Sequence, residues 1–224
     1  MTRYSATLWR RDPRPGLLVF LFVLASLAFA ALVAAVLLYH PFVAFDESLS
    51  SSIRDLSTPR LDTFFIAVTH LGDFWTVAIA TLMFSGALFL RRRRGEALLV
   101  AFTVSMGAVL GTAFRALIER ARPGLEYARI PLPDAYSLPS GHALASFLFF
   151  GIVFFVVALE AKRVSTRMWT LGGCAALAGL IAFSRVYLGV HYFGDVLASW
   201  ILGSAWLTLC AATYFAFTSP QRPA

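Results

Sequence analysis

The sequence predicts an all-α polytopic membrane protein in which six transmembrane helices form one bundle. Of its 224 residues, 59% are hydrophobic and only 14% are charged, whereas a soluble domain carries about 25% charged residues. The apolar residues form long runs, and about 20 helical residues are enough to cross a hydrocarbon core. Backbone polar groups in lipid must be satisfied internally, so these runs are helices rather than isolated strands. We expect one integral membrane domain over residues 1–224.

Each predicted span corresponds to one apolar run. The first run follows basic residues, as a signal peptide would, but it is too long for the apolar region of a signal, so we expect a retained anchor. The six predicted spans are residues 17–39, 74–90, 97–117, 142–161, 168–183 and 192–217.

The distribution of basic residues predicts the orientation of these spans, because cytoplasmic loops carry an excess of Lys and Arg. This rule places both termini on the cytoplasmic side, together with the connections at 91–94 and 162–167. The basic residues at the termini are Arg3, Arg10, Arg11, Arg14 and Arg222. The segments 40–73, 115–141 and 184–191 then share the opposite side. The arginines in 115–141 break the rule, which suggests that they have a functional role on this side of the membrane.

Segment 46–72 is amphipathic. Residues 61–71 within it are expected to lie along the membrane interface before the second span. An ordered loop that caps the bundle is an equal alternative to a role in substrate entry.

The tetrapeptide Pro139-Ser140-Gly141-His142 directly precedes the fourth predicted span. Serine is a favoured N-cap residue, so we expect Ser140 at or near the start of a helix. Free amides at a helix N-terminus, including that of Gly141, form an anion site. His142 is expected to point into the same space. Taken alone, this motif could equally be a capped helix with an interfacial histidine.

A second motif contains Ser184-Arg185 and continues to His191 and Asp195. Asp195 lies four positions after His191, so on a helix they share a face and the carboxylate can fix the imidazole tautomer. The other ring nitrogen is then free to act as nucleophile or base. Arg185 can reach the same pocket as a bidentate phosphate clamp. A purely structural His–Asp pair remains the alternative.

The third motif places Arg115 and Arg122 seven residues apart, just before Pro123. Seven residues are about two helical turns, so both arginines could face one pocket on a helix that Pro123 ends. A belt of snorkelling arginines is the alternative. We interpret Glu119 and Arg120 as a local ion pair.

Together, the three motifs resemble the type 2 phosphatidic acid phosphatase family of membrane lipid phosphatases, which is similar in site design to bacterial acid phosphatases and vanadium haloperoxidases. The family pattern is Lys, six residues, Arg-Pro; then Pro-Ser-Gly-His; then Ser-Arg, five residues, His, three residues, Asp. The last two elements match in full, and Arg115 stands where the family has lysine. The resemblance spans about residues 46–217.

The resemblance implies a role for each site residue. His191 attacks phosphorus and becomes phosphohistidine, Asp195 orients it, and His142 protonates the leaving group. The phosphoryl oxygens are bound by Arg115, Arg122, Ser140, the Gly141 amide and Arg185. Replacing lysine by arginine keeps the charge but changes its geometry, so we expect activity to survive with a shift in substrate preference or rate.

These observations predict a lipid phosphate phosphatase of a cell (inner) membrane, with its site on the extracytoplasmic or periplasmic face. Candidate substrates are phosphatidic acid, phosphatidylglycerol phosphate and polyprenyl diphosphate. We expect no cofactor and no metal, since no carboxylate cluster suggests one and Asp134 and Asp195 are separate. His40 and His70 are interpreted as structural. Basic residues lie in short clusters rather than a nucleic-acid-binding patch, and the oligomeric state is left open.

Two other functions are compatible with the motifs. The first is a lipid phosphotransferase that uses the same site and passes the phosphoryl group to another lipid. The second is a non-catalytic lipid-phosphate binder or flippase, which would need the arginines but not the two histidines.

Overall fold

The computed structural model describes residues 15–132 and 135–218, and over these ranges the chain folds into eight α-helices with no β-strand. Two short 3₁₀ turns, His70–Gly72 and Leu125–Tyr127, lie in the connections. The helices are α1 (Pro15–Leu38), α2 (His40–Arg54), α3 (Pro59–Thr69), α4 (Phe74–Leu90), α5 (Arg94–Ile118), α6 (Gly141–Glu160), α7 (Val164–Tyr187) and α8 (Phe193–Thr218).

Five of the described helices are long and apolar enough to cross a membrane: α1, α5, α6, α7 and α8. A sixth span is formed if Pro59–Gly72 and Phe74–Leu90 count as one segment, which is bent by 49° between the two parts. The all-α polytopic prediction is therefore confirmed. The bend shows why the second span is short: α4 has only 17 residues, and α3 approaches it at an angle.

The predicted and observed helix boundaries differ most at α7. The prediction ended this span at residue 183, but α7 continues to Tyr187 and includes Ser184 and Arg185. Arg185 is only 2% exposed, and its Nη1 donates to Thr69 Oγ1 over 2.6 Å. This contact with α3 allows a charged arginine to be buried within α7. Part of the orientation prediction rests on residues outside the described ranges: Arg3, Arg10, Arg11, Arg14 and Arg222. Asp134, which was considered as a metal ligand, also lies outside them.

Helix α6 occupies the middle of the bundle and packs against α4, α5, α7 and α8. Its buried residues Leu144, Leu148, Ile152 and Val156 recur every four positions along one stripe. A Cβ atom added to Gly111 of α5 would lie 2.7 Å from Leu144 Cδ2, so glycine permits this close approach of two helices. The start of α6 is thereby held beside the end of α5, and Ser199 Oγ of α8 donates to the carbonyl of Ser140 over 3.1 Å.

Candidate active site

The three sequence motifs meet at one end of the helix bundle. The ends of α5 and α7 lie there together with the starts of α4, α6 and α8, because successive long helices alternate in direction. The arginine-rich connection at 91–94 lies at the other end. The site is therefore assembled from helix termini and the loops between them.

A tight turn after α7 positions His191. The carbonyl of Arg185 accepts hydrogen bonds from both Val190 N and His191 N, each over 3.2 Å. Gly189 within the turn has φ +72°, and a side chain there would collide with the carbonyl of Tyr127. The turn thus requires glycine, and it delivers His191 to a position where only 1% of the residue is exposed.

The proximity of His191 and Asp195 is confirmed, but not the helical geometry behind the prediction. Helix α8 begins at Phe193, so His191 lies in the turn before it. The imidazole Nδ1 is 3.4 Å from Asp195 Oδ2, longer than an ideal hydrogen bond. The same carboxylate oxygen accepts from Tyr192 N over 2.9 Å. Asp195 therefore serves the start of its own helix as well as the histidine.

The contact between Arg122 and His191 determines which ring nitrogen of His191 carries the proton. Its Nη1 lies 3.0 Å from His191 Nε2, and because a guanidinium can only donate, Nε2 must accept and carries no proton. The ring proton is then on Nδ1, facing Asp195. Burial lowers the pKa of His191 to about 3, against the opposing effect of Asp195 and with added effects of Arg122 and Arg185. The imidazole is neutral, with a lone pair on Nε2.

Arg122 reaches this position from a loop rather than from a helix, which corrects the predicted two-turn spacing. Helix α5 ends at Ile118, and Glu119 adopts a left-handed conformation with φ 52°. Beyond it, Ala121 pairs with Tyr136 in an isolated antiparallel bridge. Arg122 Nη1 also donates to the carbonyl of Val190 over 2.7 Å. The loop therefore fixes Arg122 against the turn that carries His191.

Arg120 was predicted to pair with Glu119, and this prediction is wrong. Its Nη1 donates to Asp195 Oδ1 over 2.7 Å, and its Nη2 donates to Asp46 Oδ2 over 2.8 Å. Glu119 instead hydrogen-bonds with Tyr136 and raises the pKa of that phenol. Arg120 thus links two buried carboxylates, one of which lies beside His191.

Helix α2 caps the start of α8, a feature that sequence reasoning missed. Asp46 Oδ1 accepts from Gly194 N over 2.7 Å, and Ser50 Oγ accepts from Phe193 N over 2.9 Å. These two amides have no partner within α8 because they belong to its first turn. Asp46 and Ser50 are four residues apart on the amphipathic segment 46–72, and that spacing was the available signal.

The N-terminus of α6 presents Ser140 and Gly141. Ser140 is the N-cap residue, as predicted, but its hydroxyl makes no capping hydrogen bond. The Ser140 Oγ atom is buried and has no hydrogen-bond partner among the described residues. A Cβ added to Gly141 would lie 2.8 Å from Arg115 Nη1, so the guanidinium lies directly over this glycine. The Arg115 guanidinium therefore lies beside the first residue of α6, next to Ser140.

His142 follows in the first turn of α6 and bonds to a residue that the motifs did not include. Its Nε2 lies 2.7 Å from Asp73 Oδ1, and Asp73 Oδ2 lies 2.7 Å from His70 Nδ1. Both Arg185 and Arg122 act electrostatically on His142. The charges of these two arginines therefore act on both histidines, and His142 has its own carboxylate partner. Only the position of Asp73 directly before a span could have suggested it.

The described residues hold no group of three or more His, Cys, Asp or Glu side chains that could bind a metal ion. The carboxylates of the site are instead engaged with arginines, histidines and backbone amides.

Fold and site together define an integral membrane protein with a buried His–Asp pair in an arginine-rich cluster at one end of a helix bundle. Residues 96–219 match the model of the PAP2 superfamily. That match covers more than half of the chain, and the protein belongs to this family.

Individual relatives agree with the family assignment. The chain is 25% identical to phosphatidylglycerophosphatase B of Bacillus subtilis over 78% of its length and 86% of the relative's. It is 34% identical to an undecaprenyl-diphosphatase of Sulfolobus acidocaldarius over 60% of each chain. The crystal structure of a PAP2-type phosphatidylglycerolphosphate phosphatase from Bacillus subtilis superposes with a TM-score of 0.79 and 26% identity, covering 87% of this chain and 96% of that one. The family resemblance and the all-helical membrane fold are thereby confirmed.

Proposed function

We propose that this protein hydrolyses a phosphomonoester or diphosphate on a membrane lipid, through a phosphohistidine formed on His191. The observation that carries the proposal is the state of His191. Its unprotonated Nε2 faces Arg122, and its Nδ1 faces Asp195. Membership of the PAP2 superfamily supports the phosphatase class.

In the first step, His191 Nε2 attacks phosphorus while the bond from phosphorus to the lipid oxygen breaks. Asp195 stabilises the positive charge that develops on the ring, as in hydrolase triads. The departing oxygen takes a proton from His142. Arg115, Arg122 and Arg185, with Ser140 Oγ and the Gly141 amide, stabilise the charge on the phosphoryl oxygens, which is the main demand of phosphoryl transfer.

In the second step, water attacks the phosphohistidine and gives its proton to His142. The phosphorus–nitrogen bond breaks, inorganic phosphate leaves, and both histidines return to their starting states. Each proton is accounted for by His142 and water, and arginines supply the positive charge. We therefore propose that turnover needs no metal.

The substrate class follows from the location of the site and from the relatives. A site at the end of an apolar bundle can take a phosphate whose tail stays in lipid. The relatives named above are phosphatases of phosphatidylglycerol phosphate and of undecaprenyl diphosphate. Because the arginine-rich connection at 91–94 lies at the opposite end, the positive-inside rule favours a site on the extracytoplasmic face of the membrane.

The test is phosphate release by the purified protein in detergent with chelator present. The substrates are phosphatidic acid, phosphatidylglycerol phosphate and undecaprenyl diphosphate. We expect release from at least one of them, no turnover by His191→Asn, and normal turnover by the control His40→Asn, whose histidine lies exposed at the start of α2. Labelled substrate should leave an acid-labile, alkali-stable phosphate on the wild-type protein.

Other outcomes separate the remaining functions. Transfer of label to an added acceptor lipid without phosphate release would indicate a phosphotransferase. Tight binding of the lipid phosphate by wild type and His191→Asn, with no turnover by either, would indicate a binder and refute the proposal. Activity that chelator abolishes and magnesium restores would refute metal-independent turnover.

A further inference from the structure

A hydrogen-bonded chain of three side chains connects the candidate site to the surface at the junction of α3 and α4. His142 Nε2 and His70 Nδ1 each lie 2.7 Å from a different oxygen of Asp73. The side chains become more exposed along this chain, from 20% for His142 to 40% for Asp73 and 66% for His70. None of the three family motifs includes Asp73 or His70.

We propose that Asp73 is a positioning residue that holds His142 as the proton donor to the leaving group, with His70 fixing the other carboxylate oxygen. The inference rests on the proposed function and deepens it. Asp73 binds the ring through Nε2, so Nδ1 is the nitrogen that meets the substrate. The site then contains two His–Asp pairs, one for the nucleophile and one for the acid.

The charges around His142 explain why the acid needs a carboxylate. A general acid must hold a proton before the leaving group departs. Arg185 on α7 and Arg122 on the loop after α5 both act on this ring, and Arg115 lies over the adjacent Gly141. Burial, together with Arg185 and Arg122, opposes an imidazolium at this position, whereas a carboxylate 2.7 Å away stabilises it. Asp73 is the described carboxylate that contacts this ring.

His70 has a supporting role, because the proposed reaction moves no proton through it. As the bond from phosphorus to the lipid oxygen breaks, the proton on His142 Nδ1 passes to that oxygen, and attacking water later returns one to the same nitrogen. Asp73 remains ionised throughout, and no proton needs to travel through His70. His70 acts by holding the carboxylate plane, so its removal should cost less than the removal of the Asp73 charge.

The experiment compares two phosphate monoesters that carry the same alkyl tail. In one the tail is esterified directly, so that the leaving group is an alkoxide; in the other the tail is attached to a nitrophenyl ring, so that the leaving group is a nitrophenolate. Nitrophenolate departs without protonation, so it does not need the acid. For Asp73→Asn we expect kcat on the alkyl ester to fall by about 10- to 100-fold, part of the usual contribution of a general acid. On the nitrophenyl ester we expect a change of less than about 3-fold, with KM for both esters nearly unchanged because phosphate contacts remain.

Three reference variants make this pattern interpretable. His142→Ala should show the same leaving-group dependence with a larger loss. His70→Gln should show it with a smaller loss. Glu160→Gln removes an exposed carboxylate at the other end of the bundle, where Glu160 pairs with Arg93, and should behave as wild type. Thermal unfolding in detergent checks that each variant is folded.

Equal losses on both esters for Asp73→Asn, or full activity on both, would overturn the proposal. If His191→Asn is inactive while His142→Ala retains activity on the alkyl ester, the phosphatase function stands and the acid role fails. If the wild-type protein cleaves neither ester nor any lipid phosphate, the proposed function itself fails. The outcomes are therefore distinguishable.

Discussion

Replacing Asp46 by alanine should destabilise the protein severely, although this residue lies outside all three motifs. Asp46 is 1% exposed and joins α2 to the site through two contacts. One oxygen accepts from Gly194 N over 2.7 Å, and the other accepts from Arg120 Nη2 over 2.8 Å. Burial raises the pKa of this carboxyl, while Arg120 and the Gly194 amide oppose the shift. The alanine variant leaves both donors without this acceptor.

The size of the effect follows from these two contacts. An unsatisfied buried amide costs about 1–3 kcal/mol, and breaking a buried ion pair by removing one partner costs about 3–5 kcal/mol. Arg120 retains Asp195 as a second partner, 2.7 Å away, so the total should fall near 3–5 kcal/mol rather than at the sum. Asp46→Asn keeps an acceptor for Gly194 N but turns an amide donor towards Arg120 Nη2, so it retains the helix cap and loses the ion pair. We expect a cost of about 1–3 kcal/mol.

Thermal and denaturant unfolding of the purified protein in detergent measure these differences. The matched control is Glu47→Gln, because Glu47 is the next residue on the same helix and is exposed; its effect should stay within about 0.5 kcal/mol. A loss below about 1 kcal/mol for Asp46→Ala would refute the reasoning, since neither a capped α8 nor a buried ion pair permits so small a cost.

Three further predictions concern the site itself. Gly141→Ala places a Cβ 2.8 Å from Arg115 Nη1. Because the flexible arginine side chain can move away, the fold should persist, but kcat/KM should fall about 10-fold or more. In an Arg115→Met background, the same change should have little further effect. Ser140→Ala removes a buried hydroxyl that has no hydrogen-bond partner among the described residues, so the unfolding temperature should stay constant or rise while phosphate affinity falls, and a drop in stability would contradict a ligand-binding role. The pKa of His191 is lowered to about 3, chiefly by burial, whereas in the unfolded chain the histidine is protonated below about pH 6.5. Compared with His191→Asn, the wild type should therefore lose stability as pH falls from about 6.5 towards 3. The loss should be at most about 1.4 kcal/mol per pH unit. Equal pH dependence of the two proteins would show that His191 is not buried in its neutral form.

Most of the fold could be predicted from apolar runs, because span length and hydropathy are local properties of the sequence. The predicted second span coincides with α4, Phe74–Leu90. Prediction from local properties fails where contacts with other helices allow a charged residue to lie within a membrane-spanning helix. Arg185 looked like the end of a span, yet Thr69 and the surrounding helices accommodate it inside α7.

The candidate site was predictable only as far as its motifs extend. Helical spacing predicted that His191 lies near Asp195 and that Arg122 lies near the pocket. Both residues lie at these places, but neither is positioned by a helix. A glycine turn carries His191, and a left-handed residue at Glu119 releases Arg122 from α5. The periodicity of a helix gives no information about such turns. A left-handed Glu119 in particular has no local sequence signal, because positive φ is uncommon for that residue type.

The partners that were missed share one origin, which explains why they were missed and what segment 40–73 does. Asp46 and Ser50 cap α8, Thr69 holds Arg185, and Asp73 holds His142. All four precede residue 96, where the match to the family model begins. The matched region carries the arginines and histidines, and the segment before it supplies carboxylates and hydroxyls that satisfy them. Buried arginines and histidines need such partners, so segment 40–73 forms part of the frame of the site and is more than a connection between spans.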